Sequence, residues 1–315
     1  MKPFRKNVAI TVDGGGIRGV IVTRALTMLE EELGQPIYKI ARLFAGTSTG
    51  SIIAAGLATG MTAAKLHELY LGLGDSIFRK NWRTFFFPLT RYRYPQEPLE
   101  AAFRHQVGDM KMGDFWSHES LTLTDVVITT FDTSTNKTCF IKPWKLQYKD
   151  WSVVKAVLAS SSVPTYFPIV DGRYIDGGVG SYANPCYLAA YESSFCLGWK
   201  PEETTLISIG TGRSPEAVHP KNYARFWPWD WLDPILDAFL SSASDQQVRI
   251  VETFFNKLDF RRFQVDLKTS MPMDDPGRTP ELLIYGQQMG NMILEDQLDN
   301  AIKVKPAKPR REIRQ

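Results

Sequence analysis

The sequence predicts an α/β protein with a central, largely parallel sheet flanked by helices, and three observations carry that expectation. Short strand-like apolar runs alternate with helical patterns through the first two thirds of the chain. Two glycine-rich turns, around Gly14 and around Gly46, each follow a β-branched or apolar run and open a helical pattern. At 315 residues with 43% hydrophobic content, the chain is long enough to bury a sizeable core.

Taken in order, strand-like runs fall at Val8 to Val12, Leu43 to Ala45, Asp125 to Phe131, Thr138 to Ile141 and Thr205 to Ile209. Between them lie helical patterns at Val20 to Leu33, Ser51 to Ala58, Ala63 to Leu71, Leu99 to Gln106, Ser152 to Ser160 and Pro185 to Phe195. Such alternation calls for parallel strands covered on both faces. The Ser-Thr-Asn-Lys segment at 134 to 137 is expected to turn one antiparallel hairpin. Leu43 to Ala64 is uncharged and about as long as a membrane span, yet it holds four glycines and little large apolar bulk, so it reads as a buried strand-turn-helix.

Net charge is +3, but the stretch from Lys303 to Gln315 carries six basic residues against Glu312 alone. The remainder is therefore slightly acidic, which argues against a nucleic-acid binder, whose basic face would lie on the folded part. Cys139, Cys186 and Cys196 form no CxxC and cannot all pair, so neither a disulfide framework nor a zinc site is indicated. The apolar run after Lys2, Arg5 and Lys6 stops at Asp13, too short for a signal-peptide core. The expectation is a cytoplasmic protein with reduced thiols.

Gly14, Gly16 and Gly19 satisfy GxGxxG, the spacing of a dinucleotide cradle. A dinucleotide fold also wants an acidic residue at the end of the second strand. Here that strand runs instead into Gly46-Thr47-Ser48-Thr49-Gly50, a GxSxG sequence. In such a turn the serine takes a strained backbone conformation, and small neighbours let the chain pass while Oγ projects outward. A serine that attacks an ester creates an oxyanion, and the consecutive residues Gly14, Gly15 and Gly16 could turn their amides toward it, with Arg18 extending that field or anchoring the loop.

Serine also needs a base. His67, His105, His118 and His219 all lie away from the glycine-rich turns, although Ser48, Asp176 and His219 occur in the chain order of a serine-acid-histidine triad. Asp176 is the other candidate: two glycines follow it, letting a carboxylate approach Ser48 closely. An ordinary carboxylate with a pKa of about 3.9 is a poor base, so this second reading demands desolvation.

Together, DGGGIRG at 13 to 19, GTSTG at 46 to 50, ASSSVPTYFP at 159 to 168 and DGG at 176 to 178 resemble the patatin-like phospholipase family, in that family's order. The resemblance covers roughly residues 7 to 212 and is specific as a set. It implies a three-layer patatin-like fold and a Ser48–Asp176 dyad without histidine. It further implies an oxyanion hole from the Gly14 to Gly16 loop with Arg18 nearby, an acyl-enzyme on Ser48 and no cofactor. Ser51 stands where such proteins often have another glycine, and Ser161 to Val163 replaces a more alanine-rich run. The domain reading that follows is a catalytic core at 7–212, a mostly helical extension of the same domain at 213–302 and a basic tail at 303–315.

Ser76 to Gln96 holds no acid, five Arg or Lys, and many aromatics. It suits peripheral contact with a membrane surface, where rings sit at headgroup depth and cations meet phosphate; the competing reading is an insertion whose aromatics are core. Tyr223 to Leu240, with Trp227, Trp229 and Trp231, is a second candidate for a pocket rim. The expected activity is a lipid acyl hydrolase acting on phospholipid or other acyl-lipid esters. A catalytically silent lipid-binding module and a dinucleotide-dependent oxidoreductase are its rivals. Oligomeric state is not legible in the sequence.

Overall fold

The computed structural model describes residues 1–87, 89–117, 124–215, 226–227 and 231–302. Its centre is a seven-stranded sheet formed by β1 (Asn7–Val12), β2 (Leu43–Gly46), β3 (Asp125–Asp132), β4 (Lys137–Ile141), β5 (Tyr174–Asp176), β6 (Thr204–Ile209) and β7 (Asp259–Phe263). The order is β4-β3-β2-β1-β6-β7, with β5 paired to β3 off that path. Pairings β3-β2, β2-β1, β1-β6 and β6-β7 are parallel. The antiparallel β3-β4 hairpin turns through 133–136, where Asn136 takes the left-handed conformation (φ 55°) that Asn tolerates.

Alternation along the strands divides the interior into two cores. From β1, Val8, Ile10 and Val12 face one side while Ala9 faces the other, as a period of two requires. The larger core packs α1 (Gly19–Leu33), α2 (Thr49–Ala58), α3 (Ala63–Ile77), α5 (Glu97–Val107) and α6 (Val153–Ser161) with the late helix α9 (Thr279–Leu294). A short helix α4 (Trp82–Phe85) follows α3. The smaller core is covered by α7 (Cys186–Tyr191), which runs on into a π-helical turn at Glu192–Cys196, and by α8 (Leu232–Phe254). The result is three layers, with helices over both faces.

Every strand and helix named from the sequence is present, most displaced by a residue or two at their ends; α3 runs on to Ile77. Two strands were not anticipated. β5 is only three residues long, and β7 reads Asp-Phe-Arg-Arg-Phe, too charged to look like buried sheet. Within 213–302, read as mostly helical, β7 thus extends the sheet beside β6. No helix among the described residues is long and apolar enough to cross a membrane.

Candidate active site

Because β2 ends at Gly46 and α2 begins at Thr49, the chain must reverse within Thr47 and Ser48. Ser48 absorbs the turn at φ 55° and ψ −127°, a conformation that costs a residue with a side chain about 1–3 kcal/mol. A Cβ on Gly46 would overlap the backbone of Gly50, and one on Gly50 would overlap the carbonyl of Val12. Both positions therefore require glycine. The strained serine is pinned by its own N–H, which donates to Ser160 Oγ at 2.9 Å, and by Ser51 Oγ, which donates to the Ser48 carbonyl at 2.6 Å.

Asp176 arrives beside it because β3 outlasts β2. The β2 pairing stops at Gly46 opposite Ile128; β4 occupies the other edge of β3, so β5 takes the vacated edge and sets Asp176 opposite Thr130. Thr47 Oγ1 and Thr129 Oγ1, 2.7 Å apart, tie the serine turn to the same strand. A Cβ on Gly177 would strike Thr129, so the glycine after the acid lets β5 close in.

Asp176 Oδ1 accepts the Gly178 N–H at 2.7 Å. Oδ2 is buried with no hydrogen-bond partner among the described residues. Burial pushes the carboxyl pKa up to about 6, opposed first by the Ser48 hydroxyl and then by the Gly178 amide. The Ser48 hydroxyl and the Asp176 carboxylate thus lie close enough to interact without a closed hydrogen bond.

The glycine loop crosses above this pair. Gly14 donates its N–H to the Ala183 carbonyl at 2.9 Å, so the expectation that this amide faces an oxyanion is corrected: it is already engaged. Among the described residues, the N–H groups of Gly15, Gly16 and Thr49 have no acceptor. Arg18 is turned away from the serine; its Nε donates to the Gly15 carbonyl at 3.3 Å and its Nη1 to Ser214 Oγ at 3.3 Å. It anchors the loop. Gly16, at φ 58°, packs against the backbone of Met273, whose carbonyl accepts the Ile17 N–H at 2.9 Å. Asp13, just before the loop, makes a buried two-armed ion pair with Arg262 of β7, at 2.8 Å and 2.5 Å.

Gly15, Ser48 and Asp176 line one small pocket with Gly14, Val163 and Met273. Ser48, Val163 and Met273 also line a second, apolar pocket walled by Ile52, Leu73, Phe78 and Phe167. Of the histidines, His67 is half-buried against Thr23 Oγ1 at 3.0 Å and His105 is exposed, while His118 and His219 lie outside the described residues. Ser160, Thr211, Arg262 and Met273 were not singled out from the sequence. Ser160 lies inside the ASSSVPTYFP segment at 159–168, and the Gly210-Thr211-Gly212 turn directly after a strand was the signal for Thr211.

The Ser76 to Gln96 segment divides. Ile77, Phe78 and Tyr94 are core, whereas Trp82, Phe85, Phe86 and Leu89 are 61%, 83%, 52% and 88% exposed. In the second candidate rim, Trp227 and Trp231 are described and Trp229 is not.

The model of the patatin-like phospholipase family matches residues 10–190. The chain belongs to that family. An intracellular phospholipase A2 of Caenorhabditis elegans is 32% identical over 224 residues, covering 66% of this chain and 20% of that protein. Patatin-like protein 2 of Arabidopsis thaliana is 29% identical over 287 residues, covering 75% and 69%. A cGAMP-activated phospholipase of Vibrio cholerae is 30% identical over 248 residues, covering 68% and 67%. The chain thus spans about a fifth of the nematode relative's length and about two thirds of the other two.

Proposed function

We propose that the protein is a lipid acyl hydrolase that cleaves carboxylic esters of phospholipids or related acyl lipids by transferring the acyl group to Ser48 and then to water. The observation that carries this reading is the shared cavity: a strained serine, a buried carboxylate with a free oxygen and an amide without an acceptor, adjoining an apolar chamber suited to an acyl chain. Family membership supports it.

In the first step Asp176 Oδ2 takes the Ser48 proton as Oγ bonds to the ester carbonyl carbon. Charge develops on the carbonyl oxygen, where the Gly15, Gly16 and Thr49 amides can receive it. Collapse breaks the bond to the alcohol, which leaves with the proton from Asp176. Water then repeats the sequence on the acyl-serine, with Asp176 again taking and returning one proton, and releases a fatty acid. A carboxylate whose pKa lies near 6 is a stronger base than an exposed one, which is what direct proton removal from serine requires. No cofactor enters these steps.

The exposed tip formed by Trp82, Phe85, Phe86 and Leu89, beside Arg79, Lys80, Arg83 and Arg91, supports peripheral contact with an anionic lipid surface. The segment follows α3, whose Leu73 and Ile77 wall the apolar chamber, so the surface and the site are contiguous.

The test is labelling with a fluorophosphonate and mass mapping of the modified residue, alongside turnover of a short acyl ester. Ser48 is the expected site, and Ser48→Ala is expected to lose both label and turnover while keeping its fold. Undiminished turnover in Ser48→Ala overturns the proposal.

A further inference from the structure

We infer that Thr211, which lies outside the span matched by the family model, is a positioning residue that aims the Gly15 N–H at the reacting carbonyl. The inference rests on the acyl-hydrolase reading and assigns to one side chain the geometry of that site's donor.

A peptide group is planar and almost always trans, so its C=O and N–H point in opposite directions from one rigid plate. The carbonyl of Gly14 and the N–H of Gly15 belong to the same plate. Thr211 Oγ1 donates to that carbonyl at 2.6 Å. Thr211 lines a cavity on the far side of the loop, together with Arg18 and Arg262, whereas Gly15 lines the cavity that holds Ser48 and Asp176. Holding the carbonyl on the far side turns the amide hydrogen toward the serine. The same bond draws electron density toward the Gly14 oxygen, which strengthens the Gly15 N–H as a donor by the polarisation that operates along hydrogen-bonded chains.

Two further observations fit. A Cβ on Gly15 would overlap the Thr211 hydroxyl, so the loop lies directly on this residue and position 15 must be glycine while threonine is there. Thr211 itself is buried and sits between Gly210 and Gly212, just past the end of β6, the neighbour of β1 in the sheet. The position is therefore set by the sheet. The next plate obeys the same rule: Arg18 holds the Gly15 carbonyl through both its Nε and its backbone N–H, leaving the Gly16 N–H on the opposite edge.

The experiment compares Thr211→Val, which keeps the shape and removes the hydroxyl, with Thr211→Ser, which keeps the hydroxyl. Both are made in the full chain and assayed on a soluble acyl ester and with a trifluoromethyl ketone of the same acyl chain, whose adduct with serine carries an oxyanion. In Thr211→Val, kcat is expected to fall about tenfold to hundredfold with KM within about twofold, as for a misaimed transition-state donor. Affinity for the ketone should weaken by the same factor, and Thr211→Ser should recover kcat to within about threefold of the unmodified protein. Should Thr211→Val not fold, Thr211→Ala against Thr211→Ser makes the same comparison. Unchanged kcat in the hydroxyl-free variant, a loss confined to KM, or an equal loss in Thr211→Ser overturns the inference. If Ser48 of the unmodified protein takes no fluorophosphonate label, the acyl-hydrolase reading has failed instead; a labelled, active enzyme indifferent to Thr211→Val sinks the positioning role alone.

Discussion

Asp176 carries opposing demands at the scale of one residue. Its pKa in the fold, about 6, lies above the unperturbed 3.8, so the folded state holds the proton more tightly than the unfolded chain does. The sign follows directly: stability from this group is greatest at low pH and is lost as pH rises from 3.8 through about 6, while the ionised carboxylate that the proposed mechanism uses as base appears over the upper part of that window. The kcat/KM for a soluble ester should therefore climb with pH through about 6, and a profile flat from pH 5 to 8 would contradict direct proton transfer to this carboxylate. Asp176→Asn should be nearly inactive yet melt a few degrees higher at pH 7.5, since the amide bears no buried charge. A melting point that falls sharply in that variant would mean the carboxylate is holding the fold rather than straining it.

At the scale of elements, the serine turn depends on two backbone approaches that no side chain can share. Gly46→Ala sets a methyl group against the Gly50 backbone, where neither strand nor helix can yield, and should destabilise the protein by about 1–3 kcal/mol and slow fluorophosphonate labelling of Ser48. Chemical denaturation and labelling kinetics check both, and an unaffected variant would show that the turn is slacker than its geometry implies. This turn was legible in the sequence because glycine, serine and glycine at fixed spacing have a local cause. The glycine loop was legible as a loop, but not which amides it leaves open: Gly14 is taken by Ala183, and that depends on a contact 169 positions away. β7 was hidden for a related reason. Arg261 and Arg262 can lie in buried sheet only because Asp259 neutralises one and Asp13 the other. The meeting of Asp176 with Ser48 rests on β3 being longer than β2, a difference of register that periodicity does not reveal.

For the whole molecule, the proposed lipid contact makes charge and exposure the quantities to test. Arg93 is committed inside the protein, lying over Tyr166 and near Asp274 at 3.7 Å, so it does not belong with the surface cations. Neutralising Arg79, Lys80, Arg83 and Arg91 together should weaken binding to anionic vesicles by roughly 1 kcal/mol per removed charge, while turnover of soluble esters stays unchanged. Vesicle co-sedimentation at two salt concentrations checks this, and equal losses on vesicles and soluble esters would point to damage at the site instead. Phe85→Ser with Leu89→Ser should reduce vesicle activity even at high salt, where only apolar insertion persists.

The loop between β1 and α1 is held by Ala183, Ile209, Thr211, Arg262 and Met273, all far along the chain from it. A polypeptide emerging from a ribosome displays Ser48 long before these holds have been made. On this wiring the acyl-hydrolase site proposed above is incomplete until the segment carrying Arg262 and Met273 has been made, so a product that stops earlier carries Ser48 without the loop that faces it.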